Sequence, residues 1–219
     1  MGTIKNIEKK LFNLDRLEER ERKRNTSGRF NRFGAYFLDH YLQILISSIP
    51  VFILWVIANR SIGNNEQIAN IDTLPSSWQL PAVIMVVLIM MAYNIILPYY
   101  IYEGQTFGKK LIGIKIVKAN GDKASLLNYF VRFLAVMFLE ANTYFSAIGG
   151  VLFYFLAKQF DFAMQWNNAL AIIFVLSAIL AALNKERRSI HDFISGTKVI
   201  NIKEHKDVEF FPAADESAA

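Results

Sequence analysis

The chain has 219 residues, of which 53% are hydrophobic and 20% are charged, and its formal net charge is +5. Because the basic residues lie beside long apolar runs, this charge suits an anionic membrane surface better than nucleic acid. The absence of cysteine excludes disulfides and thiolate metal sites.

The N-terminal segment, residues 1–28, is polar and carries no pattern of a cleaved secretory signal, so we expect it to be retained. Its apolar residues recur at steps of three and four and predict an amphipathic helix; they are Ile4, Ile7, Leu11, Leu14 and Leu17. Such a helix lies on the membrane, binds a protein partner of unknown identity, or packs against the chain's own loops.

Four apolar segments follow, and a spanning helix needs about 20 such residues. They cover residues 36–58, 80–102, 126–157 and 168–183. The third is too long for one simple span, so we expect an interfacial or tilted helix over 125–140 that continues into a span near 142–159. The predicted fold is therefore an all-α integral membrane protein, a bundle of about four transmembrane helices with a long, bent third segment.

The orientation follows from the distribution of lysine and arginine near the ends of the spans. Basic residues are concentrated before the first span, between the second and third spans, and after the fourth. The two remaining loops are nearly free of them. This alternation predicts that both termini lie in the cytoplasm.

Small cytoplasmic β elements are expected outside the bundle. Residues 111–118 alternate and are rich in β-branched side chains, and Asn120-Gly121 is a strong turn signal. Residues 196–203 form a second strand-like run. We expect these two runs to pair into a small sheet.

The first span has a polar stripe that predicts a functional site. The stripe is spaced by three and four residues along one helical face and consists of Arg32, Tyr36, Asp39, Gln43 and Ser47. Asp39 lies roughly 10 Å further along the axis than Arg32. An acid at that depth is either a proton or cation site tuned by Arg32, or one half of a structural Arg32–Asp39 pair.

Three more polar residues accompany the later spans. Asn94 is expected to face Asp39 across the bundle, as a ligand or as interhelical glue. Arg132 and Glu140 are eight residues apart and share a helical face. A buried Glu140 would be a second coupling carboxylate, but the interfacial alternative, in which headgroups and water solvate both residues, is favoured.

The loop Gly104-Gln105-Thr106-Phe107-Gly108-Lys109-Lys110 resembles a phosphate-binding loop but fails its spacing, since only three residues separate the glycines. The amides of Gly104 and Gly108 are still expected to bind a headgroup or a carboxylate. Four basic residues are candidate lipid or anion ligands: Lys109, Lys110, Arg187 and Arg188.

Chemistry other than transport has little support in the sequence. The three histidines, His40, His191 and His205, lack metal-ligand spacing, so we predict no metal site and no cofactor. No nucleophile–base pair or paired catalytic carboxylates stand out. We therefore expect the protein not to be an enzyme.

Three segments in this order resemble the RDD family of prokaryotic membrane proteins. They are Arg32-Phe33-Gly34-Ala35-Tyr36-Phe37-Leu38-Asp39, the run from Gly104 to Lys115, and Arg188-Ser189-Ile190-His191-Asp192-Phe193-Ile194-Ser195-Gly196-Thr197. The resemblance implies that the arginine and two aspartates of the family's name are Arg32, Asp39 and Asp192. It also implies a prokaryotic cell-membrane location and, for function, transport of ions or small ligands.

Two functions are consistent with these observations. The first is a small proton-coupled transporter of cations or small ligands, expected to act as a homodimer because the chain is short. The second is a membrane adaptor or regulator that acts through its N-terminal helix and the loop after residue 103. Either would have an RDD-like membrane domain over residues 29–203 and a polar tail over 204–219.

Overall fold

A computed structural model of the chain describes residues 26–59, 71–140 and 163–202, together with residues 152, 155, 156 and 160. The predicted amphipathic helix before residue 26, most of the predicted span near 142–159, and the tail over 204–219 lie outside these residues.

The described residues are mostly helical, as predicted. In chain order the elements are α1 (Arg29–Asn59), a short 3₁₀ turn (Ile71–Thr73), α2 (Ser76–Met91), α3 (Phe107–Ile112), β1 (Ile114–Lys118), α4 (Leu126–Ala135), α5 (Ala163–Leu183), α6 (Ile190–Ile194) and β2 (Thr197–Asn201). Two helices continue with wider, π-helical turns, α2 over Ala92–Ile101 and α4 over Val136–Glu140.

Three of the described helices are long and apolar enough to cross a membrane: Arg29–Ala58, Ser76–Ile101 and Gln165–Leu183. Large apolar side chains stand exposed along them, for example Leu45, Leu88 and Ile172, as expected of surfaces that face lipid rather than water. These helices match the predicted first, second and fourth spans. The predicted third span falls mainly outside the described residues, so a count of four spans stays a prediction.

Pro98 lies inside the continuation of the second long helix rather than at its end. The helix runs on to Ile101, and the amide of Tyr102 donates to the carbonyl of Leu97 at 3.0 Å. Widened turns accommodate a residue that lacks the backbone donor of a regular helix. Pro98 is buried there, and the chain can continue directly into the loop that begins at Gly104.

The predicted small sheet is confirmed, since β1 and β2 pair antiparallel with Ile116 opposite Val199. Each strand buries three of its five residues, and Ile114 and Val199 belong to the same core as Tyr129 of α4. The start of the described chain joins the same sheet, because the amide of Ser27 donates to the carbonyl of Val199 at 3.2 Å. We call the assembly of α3, β1, α6 and β2 the cap.

The cap is fastened to α1 by an unusually close approach of backbone at Gly108. A Cβ atom added at Gly108 would collide with the carbonyl oxygen of Ala35 and would lie 2.9 Å from the carboxylate of Asp39. Gly108 is therefore required for packing and not for an unusual dihedral angle. Gly34, on the same helix, has only an ordinary contact of 3.7 Å with Ile112.

We expect Gly108→Ala to destabilise the protein by about 1–3 kcal/mol, because overpacking of a tight backbone contact forces the helices apart. Thermal unfolding of the purified protein in detergent measures this loss. Gly34→Ala is the matched control and should be neutral or slightly stabilising, since alanine favours a helix interior. Equal stability of the two variants would contradict the close contact.

Candidate functional site

Asp39 is the centre of the first candidate site, where it is only 4% exposed. Its Oδ1 accepts hydrogen bonds from the hydroxyl of Tyr93 at 2.5 Å and from the amide of Gly108 at 2.7 Å. Its Oδ2 accepts from the hydroxyl of Thr106 at 2.5 Å and from Lys109 Nζ at 3.0 Å. Four donors from two other elements therefore satisfy the carboxylate.

The glycine-rich loop that resembled a phosphate site thus surrounds a carboxylate of its own chain. Thr106 immediately precedes α3, and Gly108 and Lys109 lie in the first turn of that helix. Amides and positive charge at this position attract an anion. Of the two predicted partners for the Gly108 amide, a headgroup or a carboxylate, the structure contains the carboxylate.

The amide of Gly104 does not bind a headgroup or a carboxylate, so the prediction is wrong for this glycine. Its amide donates to the carbonyl of Pro98 at 2.6 Å, and its carbonyl accepts from the amide of Ile116 at 2.7 Å. Its φ of 100° favours glycine, and a Cβ atom there would lie 2.7 Å from the carbonyl oxygen of Ile116. The residue serves to hold β1 against the end of the second long helix.

The predicted Arg32–Asp39 pair is wrong. Arg32 Nη2 instead donates to Asp192 Oδ2 at 2.5 Å. The two positions share a helical face but are separated by roughly 10 Å along the axis, and α6 brings a nearer acid to Arg32. The counter-ion of Asp39 is Lys109.

The hydrogen-bond partners of Asp39 do not include Asn94 or Gln43. The side-chain amide of Asn94 donates to the carbonyl of Met90 in its own helix at 2.9 Å, so the prediction that it faces Asp39 is wrong. Gln43 lies half-buried one turn beyond Asp39 on α1. Tyr93, the residue before Asn94, supplies the contact instead.

Asp192 is the centre of the second site and is completely buried. Its carboxylate pairs with Arg32 from α1 and with Arg132 from α4. The amide and the hydroxyl of Ser189 donate to Oδ2 at 3.1 and 2.9 Å, and the hydroxyl of Thr197 lies 3.4 Å from Oδ1. One acid therefore joins α1, α4, α6 and β2.

Opposing effects act on the pKa of Asp192. Burial alone would raise it, but Arg132, His191 and Arg32, in that order, together with the Ser189 amide, hold the pKa well below its ordinary value of 3.8. The group is therefore ionised at neutral pH. A lowered pKa stabilises the fold above the ordinary value, and this stabilisation is lost as the pH falls towards the folded-state value.

Glu140 is buried, so the favoured interfacial interpretation is wrong. It is 4% exposed, its Oε1 accepts from the hydroxyl of Ser177 at 2.6 Å, and its Oε2 lies 2.7 Å from His191 Nδ1. The wider turns at the end of α4 carry Glu140 towards α5 and α6. Arg132 is likewise not a headgroup ligand, since it binds Asp192.

The four basic residues predicted to bind lipids or anions all contact their own chain. Lys109 contacts Asp39, and Lys110 Nζ lies 3.8 Å from the ring centroid of Tyr102. Arg187 Nη1 donates to the carbonyl of Ser27 at 2.9 Å. Arg188 donates from Nε to the carbonyl of Thr197 at 2.9 Å and lies over the ring of Phe193. Lys109, Lys110 and Arg187 tie their segments to neighbouring parts of the chain, and Arg188 makes its contacts within the cap.

Metal ligation has no geometric support in the described part of the chain, which contains no group of three histidine, aspartate or glutamate side chains able to hold an ion. The partners that sequence reasoning missed are hydroxyl groups and one arginine: Tyr93, Thr106, Ser177, Ser189 and Arg132. Only Arg132 stood out in the sequence, as a charge beside an apolar run.

Long apolar helices joined to a polar cap by two buried aspartates define a helical membrane protein. The RDD family profile matches residues 26–196, and the chain belongs to this family, as the sequence motifs indicated. Both aspartates and the α3, β1 and α6 elements of the cap lie within the match, and β2 begins directly after it.

Two relatives from Bacillus subtilis (strain 168) share most of the length. The chain is 25% identical to "Uncharacterized protein YckC" over 174 residues, which cover 79% of this chain and 83% of that protein. It is 24% identical to "Uncharacterized protein YxaI" over 182 residues, which cover 80% of this chain and 96% of that protein. No solved structure matches the chain significantly.

We expect Asp192→Asn to destabilise the protein by about 3–5 kcal/mol, because two buried arginines lose their counter-ion. Thermal unfolding in detergent measures the loss. Asp122→Asn, at an exposed turn, is the control and should change stability by at most about 0.5 kcal/mol.

The same pair of variants tests the direction of the pKa shift. The wild type and Asp122→Asn should lose stability more steeply than Asp192→Asn as the pH falls from about 5 to about 3, where the stabilisation by ionised Asp192 is withdrawn. Parallel acid curves for all three proteins would mean that Asp192 is not held ionised by its arginines.

Proposed function

We propose that the protein is a small proton-coupled carrier of cations or small ligands in a prokaryotic cell membrane, with Asp39 as its coupling carboxylate. The observation that carries the proposal is the buried ion pair between Asp39 and Lys109, at 3.0 Å. Asp39 belongs to a helix long enough to span a membrane. Ionisable groups in such helices are costly and mark ion or proton pathways.

The pair suggests how binding and release would work. A cation that reaches Asp39 competes with the ammonium of Lys109 for Oδ2, because both take the same lone pairs. Lys109 belongs to the short helix α3, whereas Asp39 is on α1, so exchange of the counter-ion changes the contact between the two elements. Binding is thereby linked to the contact between α3 of the cap and α1.

The arrangement in the membrane follows from the charges. We place both termini in the cytoplasm, with the basic segments and the cap against anionic headgroups on that side. With only 219 residues, one copy offers few helices to enclose a pathway, and a homodimer would supply a shared one. Nothing in this scheme requires a cofactor, a nucleic acid or catalysis.

The test is flux in proteoliposomes of the purified chain, read as lumenal pH while sodium, potassium or lithium gradients are imposed. Wild-type protein should exchange at least one of these cations for protons, and Asp39→Asn should abolish the exchange because it removes the titrating charge. Asp122→Asn should transport as the wild type does. Each variant is first shown to be folded by its thermal transition.

A double variant, Asp39→Asn with Lys109→Met, separates loss of coupling from loss of folding. Removing both charges leaves no unpaired ion in the interior, so this protein should be at least as stable as Asp39→Asn and still inactive. Exchange that survives in the folded double variant would remove Asp39 from the mechanism, and absence of flux in the wild type would remove cation exchange.

A second candidate function, that of a membrane adaptor, is favoured by a different observation. Both carboxylate oxygens of Asp39 already accept hydrogen bonds from four donors, as expected of a structural acid. The working part would then be the segment before residue 26 with its unknown protein partner. Deletion of residues 1–25, which keeps the Ser27 contact to β2, would abolish partner binding, while Asp39→Asn would leave binding unchanged in protein that still folds.

A further inference from the structure

His191 occupies the junction between the two acids Glu140 and Asp192. Its Nδ1 lies 2.7 Å from Glu140 Oε2, and its Nε2 lies 2.9 Å from Arg132 Nη2 and 2.8 Å from the hydroxyl of Ser189. Arg132 in turn pairs with Asp192. The ring therefore links a carboxylate on one side to a guanidinium on the other.

Donor and acceptor chemistry selects one protonation state for this geometry. A guanidinium can only donate, so Nε2 must accept and carries no proton; an ionised carboxylate can only accept, so Nδ1 must carry one. At the contacts with Arg132 and Glu140 His191 is therefore neutral, with its single proton directed at Glu140. The alternative neutral tautomer would fail at both of these contacts and would satisfy only the hydroxyl of Ser189, whose own proton goes to Asp192.

We propose that the His191–Glu140 pair is a proton-binding site and that a proton bound there releases Arg132 from the imidazole. Once Nε2 carries a proton, both groups in the 2.9 Å contact with Arg132 are donors, and no hydrogen bond can form between them. The protonated ring keeps its bond to Glu140 and gains attraction to Asp192, whose Oδ1 is 3.9 Å from Nε2. The proton comes from water and no other bond forms or breaks.

Release of Arg132 would weaken the cap, because the same guanidinium holds two of its residues. Arg132 Nη1 pairs with Asp192 and donates to the hydroxyl of Thr197, the first residue of β2, at 2.8 Å. A guanidinium displaced from Nε2 cannot keep both contacts in their present geometry. Protonation of His191 would thereby weaken the contact between Arg132 and the first residue of β2.

The charged groups around the ring make the response specific. Arg132 and Glu140 face it from α4 and its continuation, and Asp192 faces it from α6. Arg32 acts from α1 through Asp192, and Arg188, just before α6, donates to the backbone carbonyl of Asp192. The described part of α5 contains no charged residue and contributes the hydroxyl of Ser177, which donates to Glu140.

Histidine-selective ¹⁵N NMR on the full chain in detergent tests the site without any mutation. At about pH 8, where an ordinary histidine is neutral, the imidazole signals of His191 should show the Nδ1–H tautomer. On acidification to about pH 5 the ring should take up a second proton. Comparison with His191→Gln assigns the signals, and His40→Gln with His205→Gln assigns them by elimination if that variant fails to fold.

Hydrogen exchange at the same two pH values tests the release of Arg132. After correction for the intrinsic pH dependence, the amides of residues 197–201 should exchange about tenfold faster at the lower pH, the factor expected when one hydrogen bond to a charged group is lost. His191→Gln, whose amide both donates and accepts but does not titrate, should remove this change. His40→Gln should retain it.

Two results would overturn the proposal. The Nε2–H tautomer at about pH 8 would mean that His191 does not bridge Glu140 and Arg132 as the distances indicate. Protonation without faster exchange in β2, or faster exchange that persists in His191→Gln, would separate the proton from the cap. None of these readouts depends on flux, so the proposal stands or falls independently of Asp39 as a transport site.

Discussion

The burial of a fully ionised aspartate, Asp192, is the constraint on which the rest of the described structure depends. An acid that is removed from water needs opposite charge and several donors at once, and these groups must come from different parts of the chain. Arg32 and Arg132 provide the charge, and Ser189 provides the nearest donors. Satisfying this one group fixes where α1, α4 and α6 meet.

Asp39, nearer the centre of α1, is also a buried carboxylate that needs opposite charge and hydrogen-bond donors, but its partners are of a different kind. Instead of two arginines, the carboxylate has one ammonium, two hydroxyls and a backbone amide. Hydroxyl and amide donors satisfy the oxygens without adding charge, so the pair with Lys109 remains nearly neutral. Arg32, Asp39 and Asp192 are therefore parts of two separate ionic sites, which share α1 but not a direct contact.

The sequence predicted the long helices, the paired strands and the identity of both acids because these features follow from local signals. Runs of about 20 apolar residues, strand alternation and an acid beside an arginine are all visible in a single segment. The partners were predicted poorly because they depend on long-range contacts: Arg32 is bonded to a residue 160 positions away. Spacing along α1 placed Arg32 and Asp39 on one face, but it could not show that α6 and α3 supply each with a nearer partner.

Glu140 shows the same limit on a smaller scale. Its hydropathic context could not distinguish a helix that lies on the membrane surface from one that turns inwards, and the wider turns that carry it inwards leave no signature in the side-chain pattern. Once it is buried, an ionised carboxylate requires donors, and Ser177 and His191 lie within hydrogen-bond distance of it. Since α1 is bound to α3 through Asp39 and to α4 and α6 through Asp192, a change at one site alone leaves α1 held by the other. Movement of α1 away from the cap therefore requires both ionic contacts to open, which makes the two sites interdependent even though no side chain joins them directly.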